Sequence, residues 1–247
     1  MKTRIVVLLW AVFPTFVFSQ TVDYPELITV PGGEFTRGEV YDQPTQRVKV
    51  DTFQIAKTET TVAQWKAFCL DTHRNLPDPP PWGWHNNDPV VNVSYQDAQD
   101  YCKWLSLKKA AVYRLPTEAE WELAARGGMH SKGTMFSGSQ KLDTVAWYGN
   151  NSNGKVHAVA QKLPNELGLY DMSGNVWEWC LDYYGEDYFP NQVKVNPTGP
   201  PTGSFRIVRG GGWNSQDKSF CRVTKRYLNA PENKDEFNGF RVVRVWP

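Results

Sequence analysis

From Leu27 to Thr61, apolar and polar residues alternate in short runs; after Thr61 the apolar spacing lengthens to three and four. "LITV" and "GEFTRGE", joined at Pro31-Gly32-Gly33, predict two strands with a hairpin corner between them, and "QRVKVDTFQIAKTETT" continues as strand. Val62, Trp65, Phe68 and Cys69 then share one helical face behind Thr61, whose spacing to Gln64 is that of a capping box, so a helix is predicted over 62–71. The tract "HRNLPDPPPWGWHNNDPVVNVS" ends this periodicity. Its prolines exclude helix and remove backbone donors, and Trp82 and Trp84 read as loop residues packed onto a surface. Ser94 caps a second helix that carries Ala98, Tyr101, Cys102 and Leu105 along one stripe. "RLPTEAEWELAARGG" predicts a third, opened by a Thr117–Glu120 capping box and stopped by Gly127-Gly128. Beyond Gly128 the helical period is lost, and short apolar runs alternate with loops rich in Gly, Asn and Pro. That is the profile of an α+β domain with low regular secondary structure.

Composition narrows the picture. The 247 residues suffice for one large core, and nothing in them demands a second folded domain. With 27 basic and 26 acidic residues interspersed, the chain has no electrostatic footprint for nucleic acid or an anionic membrane. Its 11 Trp, 11 Tyr and 12 Phe suit a loop-heavy globule or a binding cleft instead. Lys2 and Arg4 precede the apolar run "IVVLLWAVFPTFVF", and Val17-Phe18-Ser19 places small residues before Gln20. This is a signal-peptide pattern over 1–19, leaving 20–247 as the mature domain. The run is shorter than the roughly 20 residues a bilayer span needs, and no Cys at the cleavage point would carry a lipid. Export to a periplasm, the extracellular space or a secretory lumen is therefore expected, with no membrane span.

Export changes how Cys69, Cys102, Cys180 and Cys221 are read, because an oxidising compartment favours disulfides. Four cysteines allow three pairings. Cys69 and Cys102 each lie on an apolar helix face, so they bridge naturally if those faces meet, leaving Cys180 with Cys221. There is no CxxC, and His73, His85, His130 and His157 lie far apart, so zinc-ligand spacing is absent.

The stretches "RLPTEAEWELAARGG", "NELGLYDMSGNVWEWC", "RIVRGGGWN" and "NGFRVVR", with "VPGGEFTRG", "IAKTETTVAQWKAF" and "PVVNVSYQDAQDYCKWL" before them, carry a resemblance. Over about residues 27–245 the chain resembles the formylglycine-generating enzyme family, the sulfatase-modifying factors. The resemblance implies a variant of the C-type lectin fold. It also implies an activity: oxidation by dioxygen of a cysteine within a Cys-x-Pro-x-Arg segment of an unfolded sulfatase. That chemistry rests on two cysteines, five residues apart, holding Cu(I) as soft thiolates. Laid onto this chain, the first position falls on Ser215 and the second on Phe220. Cys221 is one residue out of register, and a slip rescues one thiol but not two. No catalytic residue is assigned and copper is not expected. Ser215 lacks a G-x-S-x-G elbow, and Gly210-Gly211-Gly212 lacks the Gly-Lys-Ser/Thr of a phosphate loop, so the triplet reads as a tight turn.

Two features of the family are expected to survive. Side chains of Asp171 and Glu178 with the carbonyls of Gly174 and Val176 match its calcium ligands, an all-oxygen set suited to a hard cation. Trp213, Asn214, Ser215 and Arg222 would line the groove where members receive peptide. Three functions follow as expectations: a non-catalytic domain binding peptide, glycan or protein; an active oxidase; or a variable ligand-display protein of a diversity-generating retroelement. The hypervariable tract of the last would run from Trp213 to Asn238, but that tract is as rich in Lys, Asp and Glu as in the Asn and Ser such mutation enriches.

Overall fold

The computed structural model describes residues 23–38, 45–185 and 194–246, so the leader expected over 1–19 lies outside the described residues. Strands β1 (Leu27–Val30), β2 (Gly33–Arg37), β3 (Gln46–Val50) and β4 (Phe53–Ala56) come first. Helices α1 (Val62–Thr72) and α2 (Tyr95–Lys109) follow, then β5 (Val112–Arg114), α3 (Glu118–Ala125) and a single turn, α4 (Leu142–Val145). The second half holds β6 (Trp177–Tyr183), β7 (Lys194–Val195), β8 (Arg206–Arg209), β9 (Arg226–Asn229), β10 (Asn238–Gly239) and β11 (Val243–Val245). They form sheets ordered β1-β4-β11-β5, β10-β6-β8-β9 and β2-β3-β7. Among the described residues, loops and two 3-10 turns make up the remainder, in agreement with an α+β, lectin-like domain of low regular content.

Each helix starts where its cap predicts. Thr61, Ser94 and Thr117 accept from the backbone N–H three residues on, and Gln64, Asp97 and Glu120 answer with reciprocal bonds. The expected hairpin at Pro31-Gly32 does not form: β1 pairs with β4 and β2 with β3, so the corner passes the chain between sheets. A Cβ on Gly32 would lie 2.4 Å from the Val50 carbonyl oxygen, and the Gly32 N–H donates to Thr52 Oγ1 at 3.0 Å. The glycine serves a close approach to the β3–β4 turn.

Two larger cores hold these layers, with smaller clusters beside them. Trp65 and Phe68 of α1 meet Tyr101 and Trp104 of α2, with Trp65 stacked on Tyr101 at 5.8 Å. Trp121 of α3 packs with Val48, Phe53, Ile55 and Cys180 in the other. Helix α3 is buried on all sides, and its acids are neutralised internally. Glu118 faces Arg226 at 2.6 Å and Arg37 at 3.2 Å, while Glu122 faces Arg209 at 2.6 Å. Burial opposes ionisation of Glu118, but Arg226, Arg37 and Arg209 outweigh it and hold its carboxyl at about 2.

The disulfide expectation is corrected: all four cysteines are free, buried thiols. The faces of α1 and α2 do meet, but Cys69 turns its thiol to the Asn75 carbonyl at 3.6 Å. Cys180 and Cys221 belong to different cores. Hydrophobic packing and the buried ion pairs hold the domain without a covalent bridge.

Candidate functional site

Strand β8 delivers the chain into the glycine turn. Gly211 has φ +75°, and a Cβ there would sit 2.7 Å from Cys221 Sγ and 3.0 Å from the Phe220 carbonyl oxygen. The glycine lets the turn lie directly on the short 3-10 turn Lys218–Cys221. Ser215 Oγ accepts from the Gly212 N–H at 3.0 Å and is hydrogen-bonded to the Cys221 thiol. Ser215, expected on the groove, is thus turned inward and only 6% exposed. Cys221 is fully buried among Phe136, Leu142, Val145, Ala146 and Tyr148. Burial pushes its thiol up to about 12, against a small lowering by Ser215, so it is protonated at neutral pH. Phe220 turns the other way and packs edge-on against Trp177 and Tyr227, each at 6.0 Å. Ser215 and Phe220, onto which the copper pair was expected to fall, thus present an inward hydroxyl on a buried thiol and an aromatic ring.

What faces outward is aromatic. Trp213 meets Trp82 edge-on at 5.4 Å and Phe237 at 5.3 Å, and its Nε1 donates to the Glu236 carbonyl at 2.9 Å. Phe220 and exposed Tyr227 form a second ring group over buried Trp177, which lies 5.2 Å from Tyr227. The two groups adjoin, since the Trp177 N–H donates to the Phe237 carbonyl at 2.8 Å. Trp82 and Trp84 pack with Trp213 over Val91, Val156 and Val176, the surface packing expected of that proline-rich loop. Of the four expected groove residues, Trp213, Asn214 and Arg222 are half-buried. Trp177, Tyr227 and Phe237 were missed. Only Tyr227 left a trace in sequence, as the outward position next to inward Arg226 in a strand.

The acidic turn lies beneath this face. Asp171 is buried; its Oδ2 accepts from the Ala160 N–H at 2.8 Å, while Oδ1 is buried without a partner. Glu178 receives Arg241 through Nε and Nη2, both at 2.7 Å, and Trp121 Nε1 at 2.8 Å. A third acid, Glu59, was not foreseen; it accepts from Asn175 Nδ2 at 2.7 Å and the Val176 N–H at 3.1 Å. Three buried carboxylates therefore surround one guanidinium. Burial first, then the repulsion among them, raises Glu59 well above its ordinary value; burial chiefly lifts Asp171 to about 6. Among the described residues, no three His, Cys, Asp or Glu side chains converge as a metal cage by themselves. The expected calcium set is all oxygen and half carbonyl; both Glu178 oxygens are taken by Arg241 and Trp121, and Asp171 Oδ1 is the carboxylate oxygen left without a partner.

Comparison with known proteins now gives the site its context. The model described as "Sulfatase-modifying factor enzyme 1-like domain" matches residues 13–246. The formylglycine-generating enzyme of Streptomyces coelicolor is 31% identical over 282 aligned residues, 87% of each chain. Among solved structures, Treponema denticola variable protein 1 superposes with a TM-score of 0.79 at 28% identity, over 88% of this chain and 94% of that one. PvdO from Pseudomonas aeruginosa superposes with a TM-score of 0.76 at 27% identity, over 96% of this chain and 100% of its own.

Proposed function

Because the chain belongs to the sulfatase-modifying factor family, we propose that it is a member without the copper oxidase chemistry, acting as a binding domain for a peptide, glycan or protein. One observation carries this reading: the matching copper positions hold Ser215 and Phe220, and the neighbouring Cys221 is buried and protonated. A Cu(I) site needs two accessible thiolates. The half-buried rings of Trp213, Phe220 and Phe237 and the exposed ring of Tyr227 support recognition by apolar and CH–π contact. Export through the leader over 1–19 belongs to the same proposal, and among the described residues no helix is long and apolar enough to cross a membrane.

Calcium would be held by Asp171, Glu178 and the carbonyls of Gly174 and Val176. Its charge would offset the surplus of buried carboxylate, and the site would fix the turn that supports the Trp213 face.

The deciding assay incubates the mature protein with Cu(I), dioxygen and a Cys-x-Pro-x-Arg peptide, then reads peptide mass and bound copper. No mass loss and no retained copper are expected. Stoichiometric copper with formylglycine product overturns the proposal. A second reading, a variable display protein, is favoured by the similarity to Treponema denticola variable protein 1. It requires a near-identical template repeat beside the coding region.

A further inference from the structure

We infer that a second cleft, separate from the aromatic face, binds a carboxylate group on the edge of Arg206. The cleft has a volume of about 500 Å³, and its walls include Tyr95, Gln96, Tyr183, Arg206, Glu232 and Lys234. The loop after β9 gives Glu232 and Lys234 to this cleft and Phe237 to the aromatic face.

Arg206 is the anomaly. Arg37, Arg114, Arg126, Arg209, Arg226 and Arg241 each face a carboxylate. Among the described residues, no acid pairs with Arg206. Its guanidinium carbon lies 4.2 Å from the Tyr95 ring centroid and 3.3 Å from that of Tyr183. Nη1 donates to the Leu181 carbonyl at 2.6 Å, and Nε is buried with no partner. Sandwiching between two rings takes water from both faces of the cation and leaves its edge for hydrogen bonding. A desolvated guanidinium with unmet donors is suited to a planar carboxylate, which takes two parallel N–H···O bonds.

The surroundings refine the class. Lys234 adds a second cation, anchored on Asp97 at 2.8 Å, and Gln96 lines the same wall. Glu232 is exposed on that wall and disfavours ligands of higher negative charge. A single carboxylate fits better than a phosphate dianion. Such a group comes from an acidic sugar or from the C-terminus of a peptide.

The full chain, labelled with ¹⁵N, allows the Arg206 Nε–H signal to be followed by NMR. The titrants are glucuronate, N-acetylglycine, its uncharged amide and inorganic phosphate. Saturable movement of that signal by glucuronate or N-acetylglycine, but not by the amide, is expected; the tighter of the two names the source. Read instead through the backbone amide signals of Gln96 and Lys234, which exist in every variant, Arg206→Gln should weaken binding about tenfold or more, a loss of about 1.4 kcal/mol, with Arg206→Lys recovering only part. If neither carboxylate moves the signal, if phosphate binds as tightly, or if folded R206Q binds normally, the assignment fails. Should R206Q not fold, the wild-type titration decides alone.

Discussion

Asp182 lies in β6, 1% exposed, and accepts the Glu118 N–H through Oδ2 at 2.8 Å while Oδ1 is buried without a partner. Burial, then the Glu118 charge, raises its carboxyl from the ordinary 3.8 to about 7, against lowering by the Glu118 N–H and Arg37. Replacing it by Asn keeps the shape and an oxygen for the Glu118 N–H but removes the titration. The folded-state value lies above the unfolded one, so the group's contribution to stability is full below about pH 4 and is lost as pH rises through about 7. Three pKa units at about 1.4 kcal/mol each set an upper size of about 4 kcal/mol for that loss. Asp182→Asn should therefore gain stability relative to wild type as pH rises, by about 2–4 kcal/mol between about pH 4 and pH 8, whatever constant cost burying the amide brings. Urea unfolding of both proteins across that range measures the difference. The other raised acids, Glu59 and Asp171, are present in both proteins and cancel. A difference between variant and wild type that stays flat with pH refutes the reasoning.

Three further outcomes are expected. EDTA should lower the melting temperature by about 5–10 °C and calcium should restore it, with little response in Asp171→Ala; an unchanged melting temperature counts against the calcium set. Arg241→Gln, which leaves Glu178, Glu59 and Asp171 without their cation, should cost about 3–5 kcal/mol at neutral pH in urea unfolding and less below about pH 6, where Asp171 takes up a proton. In native protein none of the four cysteines should react with iodoacetamide on the timescale on which the unfolded chain labels, because burial raises all four thiols; rapid native labelling of Cys221 would contradict its inward placement.

Much of the scaffold was legible because its signals are short in range. A capping box spans three residues, so Thr61, Ser94 and Thr117 announced their helices; a run of prolines announced the loop carrying Trp82 and Trp84. The family motifs marked the Asp171–Glu178 turn and the glycine turn at Gly210-Gly211-Gly212. Where partners lie far apart along the chain, sequence reading failed. Pro31-Gly32 looked like a hairpin corner, yet β1 and β2 join different sheets. Even-numbered cysteines suggested bridges, but packing directs Cys69 to a carbonyl and divides Cys180 from Cys221.

The sequence alone determined the family and the helix starts, since each is written in contiguous residues. Only the tertiary structure decided that Ser215 faces inward, that Glu59 joins Asn175 across 116 positions, and that Arg206 lies against two tyrosines with no acid paired to it among the described residues. Side-chain direction and ionisation depend on what burial brings together, and that is set by folding the whole chain.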